Sequence, residues 1–364
     1  MERFLTDETK EMLRRKALTR FRGGMTPYLS KLVHRSEATR RQFIPSWEEG
    51  LDFGQDAPFE EGRALHGIYG LERLYEDRVL ITPYFDCAAY CRYCFRKTRT
   101  IAGDRRLMMP SDIAAACDFI SKDKRINTVL ITGGDPMADI SITENVLRSV
   151  AQITNIVNIR IGTRHLLFQP TSFSGRLLGL LREYRKDIYP KNISMYLSFN
   201  HPDELTLEVK SAIRRIRDCG IVLRGHTVLL KGVNDKSEII RDLMSAFVSE
   251  EIVPYYLYHC MDVTGTAHLR TSVQRGIDIV SSLATLSGTL APQYVYVTPV
   301  GKHRVFPNKV LDYVEIDGSR YIRSLGPYTA SKFKEFTGKT DLPRLHQESD
   351  DGLIVSHYLD GNDE

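Results

Sequence analysis

From residue 78 onward, short apolar runs rich in β-branched residues alternate with longer stretches whose apolar residues return every three or four positions. The first pattern belongs to strands and the second to amphipathic helices, because side chains repeat every two residues on a strand and about every 3.6 on a helix. Strands are predicted over 78–84, 127–132, 156–162, 192–199, 221–230 and 253–259, and helices over 111–121, 142–153, 173–184, 203–219, 236–250 and 273–286. The fourth helix has the clearest face: Leu205, Val209, Ala212, Ile213 and Ile216 share one side, while Lys210, Arg214, Arg215 and Arg217 lie largely elsewhere and Gly220 stops it. Six βα units in a row predict right-handed crossovers and a parallel sheet covered by helices, either doubly wound or curled toward a barrel. In both, chemistry gathers at the carboxyl ends of the strands. Distinctive loops sit there: the cysteine-rich CAAYCRYC after the first strand, TGGDP after the second, GTR after the third, FNHP after the fourth and YHC after the sixth.

Residues 1–77 are rich in charge and show only short helical patterns, so they read as a helical and loop-rich preface to a main unit over 78–300. The segment 301–364 forms a C-terminal extension whose last forty residues are polar and lack strong periodicity. A chain of 364 residues with 42% hydrophobic and 26% charged residues is a folded globular protein large enough for an enzyme. Its 50 basic and 46 acidic side chains are mixed along the chain, so a net charge of +4 argues against nucleic acid and for small anionic ligands. No stretch approaches 18 uninterrupted apolar residues and the amino-terminal twenty are charged throughout, so neither export nor membrane insertion is expected.

Cys87, Cys91 and Cys94 fall within eight positions, whereas Cys117, Cys219 and Cys260 are scattered. That distribution is poor material for a disulfide framework and fits reduced thiols, which places the protein in a reducing cytoplasm. Cys117 and Cys219 lie on predicted apolar helix faces, where cysteine acts as a small hydrophobe. A structural zinc site normally closes on four ligands, and only one cysteine grouping exists here. A four-iron cluster held by three thiolates instead leaves one iron open to a chelating small molecule. A zinc site or an incidental cluster is the alternative.

The CxxxCxxC spacing in a loop after the first strand resembles the radical S-adenosylmethionine superfamily. The resemblance implies a partial (β/α)6 TIM-like barrel and a 4Fe-4S cluster on Cys87, Cys91 and Cys94. S-adenosylmethionine would chelate the open iron and yield a 5′-deoxyadenosyl radical on one-electron reduction. Gly133, Gly134 and Asp135 of ITGGDP match the motif that meets the methionine amino group, and Tyr93 matches the position that flanks the adenine.

Longer segments narrow the resemblance. MTPYLSKL, YEDRVLITPYFDC, CRYCFRK, IRIGTR, FNHPDEL, VLLKGVND, VPYYLYHCMDVTGTAHLRT and VGKHRVFPN follow the order and approximate spacing of the lysine 2,3-aminomutase family over about residues 20 to 325. That family adds pyridoxal 5′-phosphate, so the chain must supply a lysine for the cofactor aldehyde, an anchor for its phosphate and an anchor for the substrate carboxylate. Lys302 of PVGKHRVFPN matches the Schiff-base lysine, although the family loop is about two residues longer and richer in glycine. Arg78 matches a phosphate-binding arginine and Tyr75 a tyrosine near the ring; a second family arginine is Leu74 here. Arg96 matches the arginine that grips the substrate carboxylate, and His201 a histidine lining the S-adenosylmethionine pocket. His226 stands where the family often has Gln, so no role carries over to it.

The resemblance breaks at the distal end of the substrate. The two family aspartates that hold the lysine ammonium correspond to Met261 and Val297, and the lysine and asparagine of the glutamate-specific relatives are missing too. Asp262, one position away, could compensate if its loop is displaced. The family's C-terminal zinc-binding cysteines have no counterparts, because no cysteine follows Cys260. The reading is a radical, pyridoxal-dependent 2,3-aminomutase acting on an amino acid other than lysine, with a reducing donor such as flavodoxin or ferredoxin and a homo-oligomer left open. The alternatives are an elimination or oxidation with the same cofactors, or an iron-sulfur binding protein with degenerate catalysis.

Overall fold

The computed structural model describes residues 5–21, 23–51, 54–56, 58–59, 65–100, 106–184, 189–283, 290–306 and 310–363. Nine strands form one sheet in chain order: β1 (Leu71–Tyr75), β2 (Arg78–Ile81), β3 (Thr128–Ile131), β4 (Asn158–Thr163), β5 (Asn192–Ser198), β6 (Val222–Leu229), β7 (Val253–His259), β8 (Gln293–Thr298) and β9 (Gly301–Arg304). Strands β2 to β8 are parallel, and β1 and β9 pair antiparallel at the two edges. The sheet therefore reaches beyond both ends of the 78–300 segment. Helices Pro110–Lys122, Ile140–Ala151, Gly175–Glu183, Leu207–Arg217, Ser237–Ser249 and Val273–Leu283 make the crossovers. The apolar run QYVYVTP, which also reads as a strand, forms a seventh parallel strand after the six βα units.

Parity explains why the strands were legible. Val79 and Ile81, Val129 and Ile131, Ile159 and Ile161, and Met195 and Leu197 are buried under the helices. Their alternating neighbours Leu80, Leu130, Gly162 and Tyr196 face the interior cavity. Each fully buried aliphatic of the outer layer contributes about 1.5–3 kcal/mol. The helix expected over 203–219 begins later, at Leu207, because the Thr206 hydroxyl accepts the Val209 N–H at 3.3 Å and caps it; a short turn, Pro202–Glu204, precedes it. The end of the helix expected over 273–286 lies partly outside the described residues.

The preface is helical, with Asp7–Arg20, Pro27–Arg35 and Glu37–Phe43 capped by the hydroxyls of Thr6, Thr26 and Ser36. The C-terminal extension folds into a second antiparallel sheet of β10 (Asp312–Ile316), β11 (Ser319–Thr329), β12 (His346–Glu348) and β13 (Leu353–Leu359), in the order β10-β11-β13-β12. Helix Ala330–Thr337 buries Phe333 and Phe336 against it and packs on β1, while β11 packs on β9. This unit covers the seam between the two sheet edges, which are also joined where the Lys302 backbone N–H donates to the Tyr75 hydroxyl at 2.8 Å. No helix among the described residues is long and apolar enough to cross a membrane.

Candidate active site

A cavity of about 670 Å³ runs through the interior of the sheet, from Arg78 and Thr128 at the amino ends of their strands to the loops at the carboxyl ends. Cys87, Cys91 and Cys94 border it from the loop after β2, together with Tyr93 and Arg96. Burial raises all three thiol pKa values, Cys94 to about 11, and negative neighbours add to it: Asp135 first for Cys87, and Cys91 for Cys94. Three mutually repelling thiols are drawn into the thiolate form by a cation, so the donor set suits a thiophilic metal. Among the described residues no three such side chains close on a single ion position.

A buried ion cluster holds this loop to the preface. Arg92, between the second and third cysteines, donates to Glu49 from Nε at 2.9 Å and from Nη2 at 2.6 Å, and Lys97 Nζ reaches the same carboxylate at 3.1 Å. All three side chains are fully buried. Burial works against the Glu49 carboxylate, but the Arg92 hydrogen bonds and the Lys97 charge outweigh it and hold its pKa below the ordinary value. Lys97 gains less from the shared anion, and burial brings it down to about 8. Glu49→Gln leaves two buried cations without a carboxylate and is expected to destabilise the protein by about 3–5 kcal/mol. Chemical denaturation measures this, and an unchanged midpoint would show that the cluster carries no weight.

Gly133 and Gly134 follow β3. A Cβ on Gly134 would lie 2.0 Å from the Asp86 carbonyl oxygen, and Gly133 has a φ of +131°, so only glycine lets this turn press against the cysteine loop. Asp135 is buried and accepts from Thr163 Oγ1 at 2.6 Å, the Arg164 N–H at 2.7 Å and the Met137 N–H at 3.0 Å. It ties the second loop to the third. His201 is not among the cavity-lining residues; its Nδ1 accepts the Asp203 N–H at 3.2 Å and caps a short turn.

At the other end of the cavity, Lys302 projects from β9 with Nζ 4.7 Å from the centre of the Tyr256 ring and 5.6 Å from that of Tyr258. Burial, followed by the charges of Arg78, Arg160 and Arg304, lowers its pKa to about 7. The Arg78 guanidinium lies 4.1 Å over the Tyr75 ring and 3.0 Å from Asp77. His226 also lines this region, kept neutral by burial and by the charges of Lys302 and Arg160, and its Nε2 is a buried atom without a hydrogen-bond partner. An amine that loses its proton near neutral pH amid positive charge, beside an orphaned imidazole nitrogen, fits an aldehyde cofactor carrying a phosphate dianion.

Arg96 is buried beside the cysteines, its guanidinium 4.4 Å from the Phe95 ring centre. Met261 and Val297 line the cavity, as do Arg96 and the C-terminal unit's contribution, the 338–343 segment. Asp262 does not line it; it faces Arg270 at 3.6 Å and borders a small void behind Met261 and Val297.

Sequence reasoning missed Arg160, Arg164, Glu49 and the 338–343 wall. The two arginines were within reach, because strand parity turns Arg160 inward with Gly162 and Arg164 ends the same loop motif. Glu49 carried no local signal.

Residues 81–244 match the Radical SAM superfamily. L-lysine 2,3-aminomutase of Methanococcus maripaludis is 33% identical over 317 residues, covering 84% of this chain and 71% of that protein. The L-lysine 2,3-aminomutase of Fusobacterium nucleatum is 33% identical over 316 residues, covering 84% and 72%. The glutamate 2,3-aminomutase of Clostridioides difficile is 30% identical over 302 residues, covering 82% and 70%.

Proposed function

Because the chain belongs to the lysine 2,3-aminomutase family of radical SAM enzymes, we propose that it moves the α-amino group of an amino acid other than lysine to the β carbon. It is an aminomutase, an isomerase that works with a 4Fe-4S cluster, S-adenosylmethionine and pyridoxal 5′-phosphate. When bound, the cluster and S-adenosylmethionine supply a primary carbon radical, and the pyridoxal group supplies an electrophilic aldehyde and a ring that accepts unpaired spin.

The protein's own contribution is placement and exclusion. Cys87, Cys91 and Cys94 would hold the cluster, with Tyr93 and the Gly133–Gly134 backbone beside it. Lys302 would hold the pyridoxal aldehyde, with Tyr75 bonded to the lysine backbone. The guanidinium of Arg78, helped by Arg160, would balance the phosphate. Arg96 would fix the substrate carboxylate between the two cofactor ends, which sets the α-amino group toward Lys302. Tyr196 and Tyr258 wall the interior with rings and keep water from a site where a radical must react only with its substrate. A low-potential protein donor of the flavodoxin or ferredoxin class would supply the electron.

The observation that carries the substrate reading is the distal end of the cavity. Met261 and Val297 carry no charge, and Asp262, the nearest carboxylate in sequence, faces Arg270 instead, while Lys339 and Asp341 line the cavity from the 338–343 segment. An ammonium placed against Met261 and Val297 loses its hydration without gaining a partner from either side chain. Anaerobic turnover of a panel of amino acids with a chemical reductant, read by mass spectrometry of β-amino acid products, tests this. Turnover of an uncharged amino acid above lysine and glutamate is expected, and a clear preference for lysine would overturn it.

A further inference from the structure

The third loop puts a charged pair against one cysteine of the cluster motif. Arg164 is buried, and its Nη1 donates to the Cys91 sulfur at 3.6 Å. Its Nη2 donates to Gln42 Oε1 at 2.8 Å and to Glu204 Oε1 at 2.9 Å. The guanidinium is flanked by the rings of Phe43 at 5.1 Å and Tyr93 at 5.2 Å, so it has little freedom to turn away. Glu204 is fully buried and saturated: it also accepts from Gln42 Nε2 at 2.8 Å and from the Asn200 N–H at 2.8 Å. The sulfur thus meets an N–H of a cation, and behind that cation stands an anion.

We propose that Arg164 and Glu204 set the reduction potential of the cluster, acting through the Cys91 sulfur in opposite directions. The inference rests on the reading of Cys87, Cys91 and Cys94 as cluster ligands and concerns how that site is tuned. Adding one electron makes the cluster and its thiolates more negative. A guanidinium N–H on a ligand sulfur favours that reduced form and raises the potential, and a carboxylate beyond it disfavours the reduced form and lowers the potential. A cluster that must deliver an electron to a sulfonium needs a strongly negative potential. Glu204 restrains an arginine that would otherwise make the reduced state too comfortable. Both are positioning residues in this sense, since neither touches the reacting atoms.

The test is an anaerobic redox titration of the reconstituted protein with a graded chemical reductant, followed by electron paramagnetic resonance of the reduced cluster. Iron and sulfide content are measured alongside. Arg164→Gln should lower the midpoint, and Glu204→Gln, nearly isosteric, should raise it. Each shift is expected to be roughly tenfold in the reduction equilibrium, or ~59 mV for one electron. The double variant should return toward the starting value, and Arg164→Lys should stay near it. Damage to the loop would not produce shifts of opposite sign, which is what separates tuning from a structural role. If Arg164→Gln does not retain iron, Glu204→Gln and Arg164→Lys decide between them: a raised midpoint in the first and a near-native one in the second support the proposal. Intact clusters with unchanged midpoints, or shifts in the same direction, overturn it. Failure of the parent protein to assemble a cluster would instead remove the reading of the three cysteines.

Discussion

Lys302→Ala is expected to assemble its cluster normally, to lose the absorbance of covalently held pyridoxal, and to lose amino-group migration by roughly 10³-fold or more. The lysine amine is held against the rings of Tyr256 and Tyr258. Burial and three arginines bring its pKa to about 7. A neutral amine attacks an aldehyde and a protonated one does not, so the sign follows directly. Covalent loading of the parent protein should level off above pH 7 and fall about tenfold per unit below it. Arg78→Gln removes the strongest of the three repelling charges; Lys302 then holds its proton more readily, and the loading profile moves to higher pH. Absorbance-monitored loading across pH measures both effects. Retention of the pyridoxal band in Lys302→Ala, or a profile that still rises toward pH 10, would remove the assignment.

How far the sequence could be read followed from where the physical signal lay. Strands β2 to β7 were legible because they bury one face under helices and turn the other into the cavity, so their apolar content survives the alternation. The cysteine loop was legible because its chemistry is local. Lys302 was legible only through the residues that flank it, since one lysine among 50 basic residues carries no signal of its own. The C-terminal sheet was not: most of β11 is exposed or half-buried along its length, and its small core rests on residues as distant as Val300, Phe333 and Ile354. The same unit supplies the 338–343 wall of the cavity, where the sequence suggested an appendage. Glu49 and Glu204 were invisible for another reason. Their partners Arg92 and Arg164 lie more than thirty residues away in each case, and only the folded chain brings buried charge of opposite sign together. His201, drawn from resemblance alone, lies outside the cavity lining with its Nδ1 accepting a backbone N–H in a turn.

Restoring carboxylates at the distal end should convert a poor lysine substrate into a good one. Met261 and Val297 line the cavity, and under the proposed substrate orientation replacing both with aspartate puts two anions at the distal end of a bound lysine. A buried ammonium left without a partner is disfavoured by about 3–5 kcal/mol, so pairing it is worth roughly 10² to 10^3.5 in kcat/KM for lysine. The gain should fall mainly on KM if the carboxylates only bind the ammonium, because they lie away from the carbon that reacts. Met261→Asp alone should give part of it, since its neighbour Asp262 faces Arg270 and does not line the cavity. Turnover of the preferred uncharged substrate should drop in the same variants, as its apolar end would meet desolvated charge. Steady-state kinetics on both substrates decide the matter. If the parent protein already turns over lysine as fast as the double variant does, its ammonium is held by some other group, and the discrimination does not reside at these two positions.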